Sequence, residues 1–361
     1  MSPLLMNGRF VTQGMTGVQR FAAEVARAAD ALAGEGAWPP TRVLVPPAWA
    51  GEAPFRHLPV ERIGRLRGQA WEQTELPRAA RGTMLLSLGN TAPLLAGRRQ
   101  AVVIHDAGVF DTPESYSLPF RAWYRVLHHA LARIGARLLT VSEFSRTRIA
   151  HHLRLPRERL GVVHEGGEHI LRPTADTGVL TRHGLEPGRF ALVVGTQAAH
   201  KNLAALGEAA GMLAERGMVL AVAGGAGTGL FRTGHGASGV GLRALGRVSD
   251  AELRALYEAA FCLVFPSRYE GFGLPPVEAM TCGCPVVAAS AGAVPEVCGD
   301  AALWFDTDGP WPLTRTLARL LEEQGLREAL RQRGRERAAL FSWRRAAQRL
   351  LTLIQPEGQP A

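Results

Sequence analysis

The chain has 361 residues, 47% hydrophobic and 20% charged, the balance of a soluble globular protein too long for one core, so two domains are expected. No apolar run reaches the roughly 20 residues of a membrane-crossing helix, and "MSPLLMNGRFVTQ" is too weakly apolar for a secretory leader, which points to the cytoplasm. A formal charge of +9 leaves nucleic acid, an anionic membrane or a phosphate-bearing substrate as partners, and no helix-turn-helix, zinc-finger or RNP-type pattern supports the first.

Taken in chain order, short β-rich runs alternate with helical patterns. The first half carries "PLLMN", "TRVLVP", "GTMLLSLGN", "AVVIHDAG", "RLLTVSEF" and "LGVVHEGG". The second half carries "FALVVGTQ", "MVLAVAGG", "GLRALGRV", "FCLVFPS", "PVVAAS" and "ALWFD". Several are continuous apolar runs, as strands buried on both faces require. Between them, Thr16–Ala33, Ser117–Gly135, Asn202–Arg216 and Asp250–Ala260 place apolar residues at helical spacing. This alternation predicts an α/β chain of two Rossmann-like, doubly wound domains facing across a cleft. "EHILRPTADTGVLTRHGLEPGRF" has no strand pattern, so the domains are expected to be 1–172 and 173–342, with 343–361 a terminal helix.

Ligands of such sheets gather at the carboxyl ends of the strands. His105 and Asp106 follow "AVVI", Gly195 to Lys201 follow "ALVV", and Glu270 follows "CLVFPS". In "TQGMTGVQRF", Gly14 and Gly17 precede a helix and would present backbone N–H groups to a phosphate or sugar; a plain helix start capped by Thr16 is the equal alternative. "VVGTQAAHKNLAAL" puts His200 and Lys201 at a helix opening near Asn202. A cation there opposes the helix dipole, which favours a bound anion over a solvated lysine. In "FPSRYEGFGLPPVEAM", Pro275 and Pro276 mark a helix start, with Glu278 expected in its first turn.

Four cysteines, Cys262, Cys282, Cys284 and Cys298, fall within 37 residues without zinc spacing and read as small buried thiols. Asp306-x-Asp308 is a spacing that can hold a divalent metal, but acid-rich loops after strands are common turn chemistry, and no metal or cofactor is expected. Trp71, Trp123 and Trp343 are assigned to core or domain contacts, and His128, His129, His151 and His152 to the surface.

The segment Gly246 to Asp306, with Glu270-x7-Glu278 around "GFGLP", resembles the retaining nucleotide-sugar glycosyltransferases of family 4, which have the two-domain GT-B fold. "TGVQRFAAEV", "VVIHD", "LLTVSEFSR", "GTQAAHKN" and "FSWRRAAQRLLTLI" extend the resemblance along nearly the whole chain. It implies that the last of these is a helix crossing back to the first domain. It also implies that Glu278 holds the donor ribose, that Glu270 bonds the donor sugar near C3, and that backbone amides from Gly271 through Phe272 and Gly273 to Leu274 approach sugar and diphosphate. Lys201 would contact the diphosphate, the Gly14–Gly17 loop would close on it, and His105 would stand near the transferred sugar and the attacking hydroxyl. Thr196 and His200 complete the implied donor site. Such enzymes are thought to displace the diphosphate on the face the acceptor attacks, which explains the lack of a glycosidase-like acid/base pair.

One departure is informative. An arginine common in the family soon after the strand glycine is absent from Gly195-Thr196-Gln197, and His200 occupies a position often held by arginine. This pattern and "TGVQRF" resemble the mannosyltransferase-rich subset, which implies a hexose donor of GDP-mannose type, with a UDP-sugar as alternative. The acceptor would be a saccharide or polyprenyl-diphosphate-linked saccharide in bacterial glycan assembly. Arg121, Arg125 and the arginine-rich C-terminal segment form either a basic face for peripheral contact with the inner membrane surface or a merely solvated one. The rivals are a GT-B epimerase or phosphorylase, a non-catalytic nucleotide-binding module at the membrane, and a nucleic-acid binder resting on charge alone.

Overall fold

In the computed structural model, which describes residues 2–52, 54–196, 198–224, 241–307 and 312–355, strands alternate with helices along the chain. The chain divides into two units, Met1–Glu165 with Ser342–Ala361, and Gly166–Phe341.

The first unit is built on a seven-stranded parallel sheet of order β3-β2-β1-β4-β5-β6-β7. Its strands are β1 (Leu4–Asn7), β2 (Thr41–Val45), β3 (Val60–Arg62), β4 (Met84–Ser87), β5 (Gln100–Val103), β6 (Arg137–Thr140) and β7 (Leu160–Val162). β3 is a three-residue polar edge strand, too short and too solvated to carry an apolar signature. The second unit carries a six-stranded parallel sheet of order β10-β9-β8-β11-β12-β13. These strands are β8 (Phe190–Val194), β9 (Val219–Ala223), β10 (Leu242–Gly246), β11 (Cys262–Phe265), β12 (Val286–Ala289) and β13 (Ala302–Phe305). β11 and β12 are buried throughout, as helices on both faces demand.

The helices that matter for the site are α1 (Gly17–Gly34), α2 (Leu118–Arg133), α3 (Glu143–Leu153), α4 (Leu206–Glu215), α5 (Asp250–Ala259), α6 (Leu274–Thr281), α7 (Pro312–Glu322), α8 (Leu326–Ala338) and α9 (Trp343–Ile354). In α1, Phe21, Ala22, Val25, Ala29 and Leu32 form the buried stripe, and α9 answers with Trp343, Ala346, Ala347, Leu350 and Ile354. Trp343 meets Phe21 edge to face with centroids 5.9 Å apart, and Arg344 forks onto Glu35 at 2.7 and 2.5 Å. The terminal helix is thereby a member of the first unit.

The division falls at Gly166, ahead of the Pro173 read from the pattern. The single 3-10 turn Glu168–Leu171 lies against α5 and α6, and Arg254 donates to the carbonyls of Leu171 and Pro173 at 2.8 and 2.9 Å. Two surface and core assignments also change. His128 is buried between Leu127 and Leu131, its Nε2 bonds the Asn90 carbonyl at 2.9 Å, and burial pushes its pKa down to about 4. Trp123, assigned to the core or a domain contact, is not in the core: it stands 36% exposed on the opposite face of α2. Trp71 and Trp343 are buried as expected. Cys262, Cys284 and Cys298 are buried and Cys282 half-buried, and desolvation pushes the thiols of Cys262 and Cys298 up to about 12.

Replacing Trp343 by Ala removes the ring that joins α9 to Phe21 and should lower stability by about 3–5 kcal/mol, as urea unfolding would read. Unchanged stability would mean that α9 adds little to the first unit.

Candidate active site

In the second unit, the expected groups converge at the carboxyl edge of the sheet. β8 ends at Val194 and the chain makes a 3-10 turn, Ala199–Lys201, with Asn202 in the left-handed region at φ 52°. A second 3-10 turn, Leu203–Ala205, precedes α4, so Lys201 stands ahead of the helix and not at its N-terminus. What holds Lys201 is the loop after β11. Arg268 N donates to the carbonyl of His200 at 2.8 Å, and Lys201 Nζ reaches Glu270 Oε1 at 2.6 Å. Both side chains keep some access to solvent, 16% and 14%. The ammonium also lies 5.7 Å from the centroid of Phe265.

The backbone of Glu270 is pinned from the loop after β12. Ala293 N donates to the Glu270 carbonyl at 3.1 Å. Gly292, at φ 62°, packs so closely that a Cβ there would lie 2.7 Å from Glu270 N. Gly273 then adopts φ 108°, a conformation that L side chains rarely take, and delivers the chain into α6 with Pro275 and Pro276 in its first turn. Phe272 is buried edge-on against Phe341 at 5.7 Å, which anchors the glycine-bearing turn. Gly271 is partly buried and Leu274 buried.

Glu278 is the fifth residue of α6, one turn later than expected, and the helix start does not supply its environment. Its carboxylate lies 6% exposed between two side chains that pattern reading missed. His169 Nε2 bonds Oε1 at 2.9 Å, and the Tyr257 hydroxyl donates to Oε2 at 2.9 Å. Burial, with the charge of Glu278 beside it, holds the Tyr257 hydroxyl well above its ordinary pKa, so Tyr257 is a fixed donor. Tyr257 is part of the apolar face of α5 and carries no separate signal in sequence. His169 sits in the stretch without pattern. Thr196 is exposed and His200 half-buried beside Lys201.

His105, Gly14 and Gly17 belong to the first unit. His105 is 4% exposed just beyond β5. Its backbone N–H donates to Asn90 Oδ1 at 2.7 Å, and its Nε2, 3.0 Å from the Leu88 carbonyl, must carry a proton to bond it. Nδ1 lies 3.6 Å from Glu165 Oε1, and the ring meets Phe21 edge-on at 4.8 Å. Gly14 is exposed, Gly17 opens α1 after Thr16, and a Cβ on either glycine would touch nothing. Asp306 is exposed; Asp308 lies outside the described residues. Among the described residues, no group of three or more His, Cys, Asp or Glu is arranged to hold a metal ion.

Comparison with known proteins bears on the family and the fold. Residues 182–337 match the family model described as glycosyl transferases group 1. The O-antigen chain mannosyltransferase B of Escherichia coli is 34% identical over 257 residues, 68% of this chain and 67% of that protein. The chain belongs to the group 1 glycosyltransferases. The MMP alpha-(1->4)-mannosyltransferase of Mycolicibacterium hassiacum is 41% identical over 112 residues, 30% of this chain and 27% of that protein. Among solved structures, WaaG, a glycosyltransferase involved in lipopolysaccharide biosynthesis, superposes with a TM-score of 0.72 at 16% identity, covering 99% of this chain and all of that one. The two parallel sheets are thus the two Rossmann-like domains of a GT-B glycosyltransferase.

Within this glycosyltransferase, Gly292→Ala tests how far Glu270 depends on its backbone clamp. The added methyl collides with Glu270 N and strains a left-handed backbone, so stability should fall by about 1–3 kcal/mol and transfer should fall with it. Thermal unfolding and initial rates would check this; full activity would show that the position of Glu270 is set elsewhere.

Proposed function

We propose that this glycosyltransferase transfers mannose from GDP-mannose, with retention at the anomeric carbon and without a metal, to a saccharide or lipid-linked saccharide in polysaccharide assembly. The observation that carries the reading is the Lys201–Glu270 pair at the carboxyl edge of the second sheet, inside the loop that leads to Glu278. The names of the two mannosyltransferases to which the chain is similar support the choice of sugar. The second unit would be the donor domain and the first the acceptor domain.

The roles follow from charge. Breaking the glycosyl–phosphate bond leaves negative charge on the diphosphate, and an ammonium aimed there stabilises the transition state. Without donor, Glu270 keeps Lys201 in place; with donor, Lys201 would turn to the diphosphate and Glu270 to the sugar hydroxyls. Glu278, already oriented by His169 and Tyr257, retains lone pairs for the ribose diol. The C1–O bond to the diphosphate breaks, the acceptor oxygen bonds C1 on the same face, and its proton passes to the leaving phosphate. A UDP-sugar donor is the alternative within the same chemistry.

Thermal stability with GDP, UDP, ADP and dTDP in excess EDTA tests this. At a hundred times its Kd, the right nucleotide should add about 2.7 kcal/mol, and Glu278→Ala should abolish the gain. Lys201→Ala should lower kcat with GDP-mannose by about 10²–10³-fold. Stabilisation that requires divalent metal or ignores Glu278 would sink the assignment.

Peripheral membrane contact has its own support. On α2, Leu118, Phe120, Trp123 and Val126 are exposed by 69, 40, 36 and 63%, an apolar stripe on a helix that also bears Arg121. Arg125 does not join a basic face, because it stacks on Phe110 and donates to the Val109 carbonyl at 2.9 Å. Among the described residues, no helix is long and apolar enough to cross a membrane. The chain should sediment with phosphatidylglycerol vesicles, and the double substitution Trp123→Ser with Val126→Ser should weaken this about tenfold; unaltered sedimentation would remove α2 from the contact.

A further inference from the structure

The arginine-rich helix α8 takes no part in the site described above, and three of its arginines are engaged by backbone carbonyls instead of forming a basic face. Arg327 donates to the Phe261 carbonyl at 3.0 Å and Arg333 to the Asp300 carbonyl at 3.1 Å. Arg337 donates to the carbonyls of Val297 and Glu296 at 2.8 and 2.6 Å. α8 lies along α6, so closely that a Cβ on Gly334 would come 3.2 Å from Met280. Arg337 differs from the other two in what its partners hold.

The first of its contacts opens a path of hydrogen bonds to Glu270. Glu296 and Val297 lie in the last turn of the short helix Val294–Cys298, where carbonyls lack partners within the helix and a cation is favoured. Val297 N donates to the Ala293 carbonyl at 3.0 Å, and Ala293 N donates to the Glu270 carbonyl at 3.1 Å. The Glu270 carboxylate in turn meets Lys201 Nζ at 2.6 Å.

The second contact is a stack that reaches the other side of Glu270. The Arg337 guanidinium carbon lies 5.4 Å from the centroid of Phe341, and that ring meets Phe272 edge to face with centroids 5.7 Å apart. Phe272 stands between Gly271 and Gly273, so its ring is the one side chain by which the turn from Glu270 to Leu274 is gripped. A planar guanidinium serves both contacts at once: its fork donates to two carbonyls while its face lies over a ring. The ammonium of a lysine is a compact point charge without that geometry.

We propose that Arg337 is a positioning residue for the Lys201–Glu270 pair, bracing Glu270 through Val297 and Ala293 on one side and through Phe341 and Phe272 on the other. Its effect on transfer rests on the donor-site reading; its effect on the pair does not, and is read without any donor.

Lys201 is the chain's one lysine, so acetylation by N-hydroxysuccinimidyl acetate, mapped by peptide mass spectrometry, reports on the pair directly. Arg337→Ala and Phe341→Leu should each raise the rate of Lys201 acetylation severalfold, whereas Phe341→Tyr, which keeps the ring, should react as the wild type does. Should Arg337→Ala not fold, Arg337→Lys keeps the charge and loses the fork and the stack, and should also raise the rate. Arg333→Ala removes a carbonyl contact from the same helix and should leave acetylation unchanged, which separates positioning from a general loss of stability. With GDP-mannose and methyl α-D-mannopyranoside, the Arg337 variants should release GDP with kcat lowered about tenfold or more and KM changed less. Acetylation at the wild-type rate in the folded Arg337 variants would overturn the proposal, and raised acetylation with wild-type kcat would remove Arg337 from transfer. No GDP release by the wild type, with acetylation raised in the variants, would overturn the donor assignment and leave the positioning of the pair standing.

Discussion

Two parallel strands can be joined only by a crossover that returns the chain to the same end, so a parallel sheet gathers all its carboxyl-end loops along one edge. Both units obey this constraint, and each sheet reverses direction once, between β1 and β4 or between β8 and β11. At the second of these, the loops after β8 and β11 come close enough for Lys201 to meet Glu270. At the first, β1 and β4 bring Arg9 and Thr91 together. Chemistry collects where the backbone topology leaves the most loop ends in reach of one another.

The two units differ in how they keep a carboxylate. Glu278 is fixed by single donors to each oxygen, from a histidine and a tyrosine. Glu72 faces a full positive charge and three neutral polar groups, yet burial still outweighs them. Glu270 sits nearer solvent, 14% exposed, with Lys201 Nζ 2.6 Å away.

Much of this was legible in the residues. Short β-rich runs, several of them continuously apolar, placed twelve of the strands, and the glycines and prolines around Glu270 announced a close turn and a helix start. The failures share a cause. β3 has too little burial to leave a pattern, and the 3-10 turn Leu203–Ala205 ahead of α4 shares the helical spacing read from Asn202, so the helix itself starts later than expected. His128, expected at the surface, is buried because α2 turns it toward the Asn90 carbonyl, which leaves Trp123 facing outward and out of the core.

Local sequence determined the alternation of strands and helices, the glycine turn before α6 and the family to which the chain belongs, because each depends on neighbours within a few residues. Only the tertiary structure decided which side chains complete the acids. His169 lies 109 residues from Glu278 and 69 residues separate Lys201 from Glu270; Asn7 and Glu72 are 65 apart. Hydrogen bonds and ion pairs act over a few ångströms, and distance along the chain carries no information about that separation until the sheets have brought their edges together.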